Sequence, residues 1–324
     1  MKRGFLLGKF MPPHAGHIAL IESARRLVDQ LTVLVCWLPG DPIEGASRLG
    51  WMRELFPDCR VVGHGETVPQ QPADSPDFWT LWRRIVRHAH PEPIDYLFAG
   101  EGYGAELANR VGGVFVPLGG RVLGIADRVG SLSGSAVRAD PAAHWSVLPE
   151  VVRRFYRKQI CLHGIESTGK SALAAILADR LDTVWVGEYG RSHCEAHPGS
   201  LSRDDLLLIG AAQVAMIEAA HPWAGPHLVI DTDALMTAAW SEMLLGKAPD
   251  TLLSYPRADL YLLLEPDLPW IDDGTRYFHR QEDRDRFAAI AERVLVEAGV
   301  PFVRIAGEGA ERERQARLAI ETSL

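Results

Sequence analysis

Residues 162–173 read LHGIESTGKSAL, and the eight from Gly164 to Ser171 decide the fold of the half of the chain that contains them. They fit G-x-x-x-x-G-K-[S/T], with an apolar run before them and an Ala- and Leu-rich run after, which is the strand–loop–helix setting the pattern requires. The glycines let the backbone curl so that successive N–H groups point at a phosphate, and the helix that follows adds partial positive charge. Lys170 supplies a point charge to the outer phosphate oxygens, and Ser171 a hydroxyl for Mg²⁺. ATP is therefore the expected co-substrate here, with Gly164, Glu166, Ser167, Thr168, Gly169, Lys170 and Ser171 around its phosphates.

Phosphoryl transfer also needs carboxylates on the metal side and cations on the γ-phosphate. VIDTDA at 229–234 puts Asp231 and Asp233 at the end of an apolar strand, facing the crevice where such sheets bind ligands. GEYGRS at 187–192 ends another strand with Glu188, Tyr189 and Arg191. Asp231 is the expected partner of Ser171 at the metal. DDGTRYFHRQEDRDR at 272–286 carries Arg276, Arg280, Arg284 and Arg286 in a polar stretch. It is expected to be a lid that closes Arg276 and Arg280 over the nucleotide and excludes water. An exposed helix face of alternating charge is the plainer alternative.

The same pattern recurs near the start. GKFMPPHAGH at 8–17 follows the apolar run GFLLG and precedes a helical pattern that begins near Ile18. His14 and His17 place two imidazoles at a helix start, with Gly16 between them, so a polyphosphate can come close to the backbone. Two histidines three apart also suit a metal, yet no Glu or Cys at ligand spacing completes a set. Phosphate contact by Gly8, Lys9, Phe10, His14, Gly16 and His17 is the expectation. LSGSAVR at 132–138 adds Ser133, Ser135 and Arg138 at another helix start. Alone it equally makes an N-cap with a surface arginine; beside H-x-G-H it points to a second, separate ATP site.

Around these loops the chain alternates short apolar runs with 3.6-residue patterns, in two cycles. GFLLGKF, LTVLVCWLP, CRVVGH, DYLFAG and GVFVPL are the strands expected first, with helices at IALIESARRLVDQ, SRLGWMRELF and FWTLWRRIVRHA. QICLHGI, TVWVGE, HLVIDTD, ADLYLLLE and VPFVRIAG are the strands expected second, with helices at SALAAILADRL, LLLIGAAQVAMIEAA, RFAAIAERVLVEAG and ERERQARLAI. The alternation predicts an α/β fold of two doubly wound parallel-sheet domains, 1–150 and 151–324, with a hinge in PAAHWSVLPEVVRRFYRK at 141–158. A length of 324 residues suits two cores. With 47% apolar and 23% charged residues the chain is ordinary for a folded protein, and a net charge of −8 argues against general affinity for nucleic acid or an anionic membrane. The four cysteines lack C-x-x-C spacing and are expected to be reduced, in a cytoplasmic protein. The N-terminal apolar run is too short for an export signal, and no uninterrupted apolar stretch approaches the roughly 18 residues of a spanning helix.

GKFMPPHAGH with SGSAVR resembles the H-x-G-H nucleotidyltransferases. That domain followed by GIESTGKS, GEYGRS, IDTD and WIDDGTR resembles, over nearly the whole chain, the NadR family of bifunctional nicotinamide mononucleotide adenylyltransferase and ribosylnicotinamide kinase. SRLGWMRELF, which contains Trp51, with Trp79, Trp82 and the Asp127-Arg128 step, is similar to that family too. The resemblance implies an H-x-G-H Rossmann-like domain followed by a P-loop kinase domain. It also implies two steps: phosphorylation of ribosylnicotinamide by the second domain, and adenylyl transfer from ATP to the mononucleotide by the first, giving NAD and pyrophosphate.

On that reading His17, Lys9 and Arg138 carry adenylyl transfer, where the attacking phosphate is already ionised and needs no base. Lys170 serves phosphoryl transfer, with Glu188 or Asp231 as the base that takes the 5′-hydroxyl proton; the sequence leaves both open. Asp233 would hold the ribose or a metal-bound water, Trp270 would stack on the pyridine or pack in the core, and Trp51, Trp82, Tyr189 and Arg191 would contact substrate. The partners are then small molecules: ribosylnicotinamide, nicotinamide mononucleotide, ATP and NAD as product, with no nucleic acid and no membrane. A homo-oligomer is compatible with the sequence. Enteric members carry a helix-turn-helix ahead of the H-x-G-H domain, and only seven residues precede Gly8, so DNA binding is not expected. An H-x-G-H enzyme fused to a kinase for another small phosphate, or a nucleotide-sensing regulator, are the alternatives.

Overall fold

The first five apolar runs fold as β1 (Arg3–Gly8), β2 (Gln30–Cys36), β3 (Arg60–His64), β4 (Tyr96–Ala99) and β5 (Val114–Pro117). They make one parallel sheet in the order β3-β2-β1-β4-β5. The computed structural model describes residues 1–118, 132–270 and 277–324, and divides into the units Met1–Phe155 and Tyr156–Leu324.

Successive strand residues point to opposite faces, and the cores of the first unit follow that alternation. Phe5, Leu34 and Leu97 join the core under α3 (Phe78–Ala89) and α4 (Tyr103–Val111). Leu6, Val33, Val35 and Phe98 join the one under α1 (Ala15–Arg25) and α2 (Gly45–Leu55). Strands buried on both faces need apolar residues throughout, which is why these runs do not alternate in hydropathy. Each fully buried Leu or Phe contributes about 1.5–3 kcal/mol over an exposed one. The strand order reverses between β1 and β4, so the crevice beyond their carboxyl ends is where ligands bind in sheets of this kind. The histidine loop leaves β1 at that crevice. After β5, the short helix α5 (Gly134–Ala139) begins at the serine motif, and α6 (Glu150–Tyr156) closes the unit.

In the second unit β6 (Lys158–His163), β7 (Trp185–Val186), β8 (His227–Asp231), β9 (Leu260–Leu264) and β10 (Phe302–Ile305) form a second parallel sheet, ordered β10-β9-β6-β8-β7. Ile160, Leu162 and Val229 pack under α7 (Lys170–Arg180) and α13 (Gly309–Ser323). Cys161, Ile230, Tyr261 and Leu263 face α9 (Arg203–Ala220), α10 (Ala234–Leu245) and α12 (Gln281–Glu297). The phosphate loop leaves β6 next to β8, so its helix and the carboxylates of β8 share one end of the sheet.

Several elements depart from the sequence reading; no helix was expected on α4 or on Tyr189–Ala196. ALMTAAWSEMLL, on which no helix was expected, is α10; it is buried nearly all round, so it shows no apolar stripe. The polar stretch read as a lid is helical from Gln281, with Arg284 buried at 3% exposure, so Arg284 and Arg286 belong to the first turns of α12. The helix over 206–220 starts at Arg203, where Ser202 and Asp205 form a reciprocal cap. With the turn after it (Arg203–Trp223), it is long and apolar enough to cross a membrane by length and composition alone. It lies against α8 (Tyr189–Ala196), α10 and α11 (Asp250–Ser254), and its central Gln213 is buried and hydrogen bonded.

Candidate active sites

The phosphate loop is shaped by contacts that only glycine permits. Gly164 has φ +129°, and a Cβ there would sit 2.7 Å from the Leu264 carbonyl oxygen. Thr168 Oγ1 and Lys170 Nζ both donate to the Ile165 carbonyl, at 2.8 and 2.9 Å, which ties the loop into a closed turn. Arg312 of α13 is buried and donates to the carbonyls of Thr168, Gly307 and Glu265 and to Asp267.

Beside the loop Ser171 Oγ donates to Asp231 Oδ2 at 2.5 Å. Asp231 is 1% exposed, and its Oδ1 is buried with no hydrogen-bond partner. A buried, unsatisfied carboxylate oxygen is costly unless a cation or donor meets it. These atoms line a cavity of about 590 Å³ with Lys170, Glu188, Arg191, Gln213, Thr237 and the aromatic rings of Trp185, Trp240 and Tyr277. Burial raises the Glu188 pKa above the ordinary glutamate value; Lys170 and Arg191 oppose the shift, and Asp231 and Glu166 add to it.

The structure thus brings Glu166, Ser167, Thr168, Gly169, Lys170, Ser171, Glu188, Arg191 and Asp231 to one cavity. It sets others apart. Asp233 accepts from the Leu235 N–H at 2.9 Å and from the Tyr261 hydroxyl, so both its oxygens are used in capping α10 and holding β9. Tyr189 gives its backbone N–H to Gln213 and does not line the cavity. Trp270 lies edge-on to His279, and neither it nor Arg280, the residue before α12, lines the cavity. Arg276 falls outside the described residues. The side chain of Glu166, expected at ATP, instead accepts the backbone N–H groups of Tyr277 and Phe278.

In the first unit His14 precedes α1, and its ring lies 3.9 Å from that of His17, centroid to centroid. Each has a buried Nδ1 without a partner. Burial lowers the pKa of His14 to about 4, aided by His144, and that of His17 to about 3, aided by His14. Both are therefore neutral at physiological pH and offer N–H donors rather than charge. The serine motif meets this loop: Arg138 donates to the Met11 carbonyl at 2.5 Å, and a Cβ on Gly134 would lie 2.5 Å from the same oxygen. Ser133 caps α5 through the Ala136 N–H, and Ser135 accepts from Arg138. Lys9 is exposed at the mouth of the loop.

Phe10 is in the core at 2% exposure, so only its backbone is free for a ligand. Trp51 and Trp82, expected at substrate, are core residues at 8% exposure; Trp51 packs edge-on against Phe155, and Trp82 donates to the Pro69 carbonyl. The Asp127-Arg128 step lies outside the described residues. Sequence reading missed Arg48, which is fully buried and donates to the Lys9 carbonyl at 2.9 Å and to Asp41 at 2.7 Å. It also missed Arg312, Trp185, Trp240 and Tyr277; a lone arginine or aromatic outside any motif carries no signal to separate it from an ordinary core or surface residue.

A parallel sheet with paired histidines at its switch point and a second with a phosphate loop facing carboxylates define a chain of two nucleotide-handling units, one nucleotidyltransferase-like and one P-loop. Residues 5–43 match a cytidylyltransferase-like family profile, and residues 159–312 an AAA domain profile. The trifunctional NAD biosynthesis/regulator protein NadR of Escherichia coli (strain K12) is 27% identical over 94% of this chain and 79% of its own. Its namesake from Salmonella typhimurium is 26% identical over 93% and 78%. A NadR protein solved in complex with NR superposes with a TM-score of 0.76 at 23% identity, over 99% of this chain and 96% of that one. Another, with NAD and AMP-PNP, gives 0.73 at 22% over the same shares. Over nearly its whole length the chain is thus similar to proteins named NadR, in sequence and in fold.

Proposed function

We propose that this chain makes NAD in two ATP-dependent steps, phosphorylating ribosylnicotinamide in the second unit and adenylylating nicotinamide mononucleotide in the first. The observation that carries the first step is the Ser171–Asp231 pair, with one aspartate oxygen unmatched, in the same cavity as Glu188. Ser171 Oγ and Asp231 are the groups that would hold Mg²⁺, which would supply charge neutralisation to the phosphates. Lys170 would leave the Ile165 carbonyl for the outer phosphate oxygens. Glu188 is the base: Asp231 is committed to Ser171, whereas Glu188 faces the cavity, and its raised pKa makes it a stronger proton acceptor than an ordinary glutamate. Arg191 on the same wall orients the acceptor, and Trp185, Trp240 and Tyr277 give it flat apolar sides.

In the first unit the nucleophile is a phosphate oxygen that is ionised already, so no carboxylate is needed. Neutral His14 and His17, the α1 N-terminus, Lys9 and Arg138 would place and stabilise the triphosphate while pyrophosphate leaves. The four unpaired cysteines and the demand for ATP support a cytoplasmic setting.

Two variants test the division of labour. Lys170→Ala is expected to abolish riboside phosphorylation and spare adenylyl transfer, and His17→Ala to do the reverse. Loss of both reactions in either folded variant, or a wild type that accepts neither pyridine substrate, would overturn the proposal.

A further inference from the structure

We propose that Glu166, a variable position of the phosphate loop, is a positioning residue for the acceptor rather than a nucleotide ligand; this rests on the kinase reading above. Its two carboxylate oxygens accept one backbone N–H each, from Tyr277 at 3.1 Å and Phe278 at 2.7 Å. The carboxylate thereby pins a pair of aromatic residues that come from the other side of the site. Phe278 stacks on Trp240 with centroids 5.8 Å apart, and Tyr277 meets the same indole edge-on at 5.7 Å. The Tyr277 hydroxyl reaches on to the Gly199 carbonyl at 3.1 Å, just beyond α8.

Tyr277 is thus a strut tied at its backbone to the phosphate loop and at its hydroxyl to the 199 turn, and its ring is one wall of the cavity. Two charge-assisted bonds to adjacent amides fix that wall more firmly than a neutral acceptor would. A carboxylate pointing into a phosphate site would repel ATP. Here its charge is directed to the two amides, and the loop's own N–H groups remain for phosphate.

The test compares steady-state riboside phosphorylation by Glu166→Ala, Glu166→Gln and Tyr277→Phe, with adenylyl transfer by the same preparations as the control for folding. Glu166→Ala is expected to raise KM for the riboside about tenfold, with kcat and KM for ATP within about threefold, because it removes binding common to ground and transition states. Glu166→Gln, which keeps one good acceptor oxygen, should fall between it and wild type. Tyr277→Phe, which loses the hydroxyl's contacts with Gly199 and Cys194, should raise KM by about threefold or less, and the double variant should resemble Glu166→Ala alone. An unchanged riboside KM, or a rise confined to ATP, would overturn the inference. If the wild type itself phosphorylated no riboside, the functional reading would fail instead.

Discussion

The two phosphate loops start alike, each where a parallel strand gives way to a helix, and they differ in what surrounds the anion. The loop at 8–17 is faced by two neutral imidazoles, a lysine and an arginine. The loop at 164–171 is faced by a lysine together with Glu188 and Asp231. On the proposed function that difference follows the nucleophile: a phosphate oxygen arrives ionised, whereas a hydroxyl needs a base and a metal-side carboxylate. Loops of one kind would then serve two chemistries, separated by whether carboxylates share the crevice.

The sharpest way to break this comparison is to remove the carboxylate that holds Ser171. Asp231→Asn is expected to lower kcat for phosphoryl transfer on the order of 10³-fold and leave adenylyl transfer unchanged. Paired assays of both reactions check this, and a residual kinase rate near wild type would separate Asp231 from the metal site.

A smaller effect distinguishes the loops by pH. As the proposed base Glu188 would have to be deprotonated, and its pKa is raised, chiefly by burial. The kinase kcat/KM should therefore fall on the acid side at a pH above the usual glutamate range, and adenylyl transfer should lack that limb. Glu188→Gln should lose about 10²-fold in kcat, and the limb with it. A pH–rate profile of each reaction decides; the same limb in both would undo the assignment.

The smallest effect is on stability. His163 is fully buried on β6, shares a hydrogen bond with the Ala291 carbonyl, and has a pKa lowered to about 3 by burial. Between that value and the ordinary 6.5 the unfolded chain binds the extra proton, so stability is full above 6.5 and is lost as pH falls toward 3. His14 and His17 act in the same direction. His163→Gln should flatten the fall by up to about 1.4 kcal/mol per pH unit, read from urea unfolding midpoints at pH 7 and 5.

Both sheets and both loops were legible in the sequence, because strands buried on two faces leave unbroken apolar runs and the glycine spacings carry their own geometry. Helix α10 was not, since an element buried on all sides has no amphipathic period to detect. Nor was the division of labour among the acids: Asp231 and Asp233 stand two apart in one motif, and only the fold shows that one meets Ser171 while the other caps a helix and holds Tyr261. Glu166 misled for a related reason, as loop membership fixes where a backbone goes and leaves the side chain's partner to residues 111 and 112 positions away.

Arg48 and Arg312 have a shared effect on how each loop meets its ligand. Each is a buried guanidinium, matched by an aspartate, that turns a loop carbonyl toward itself, Lys9 in one unit and Thr168 in the other. An oxygen so held cannot swing round to oppose an incoming triphosphate. Fixing one residue's backbone costs about 1–2 kcal/mol of conformational entropy, and at these two carbonyls that ordering is completed when the chain folds.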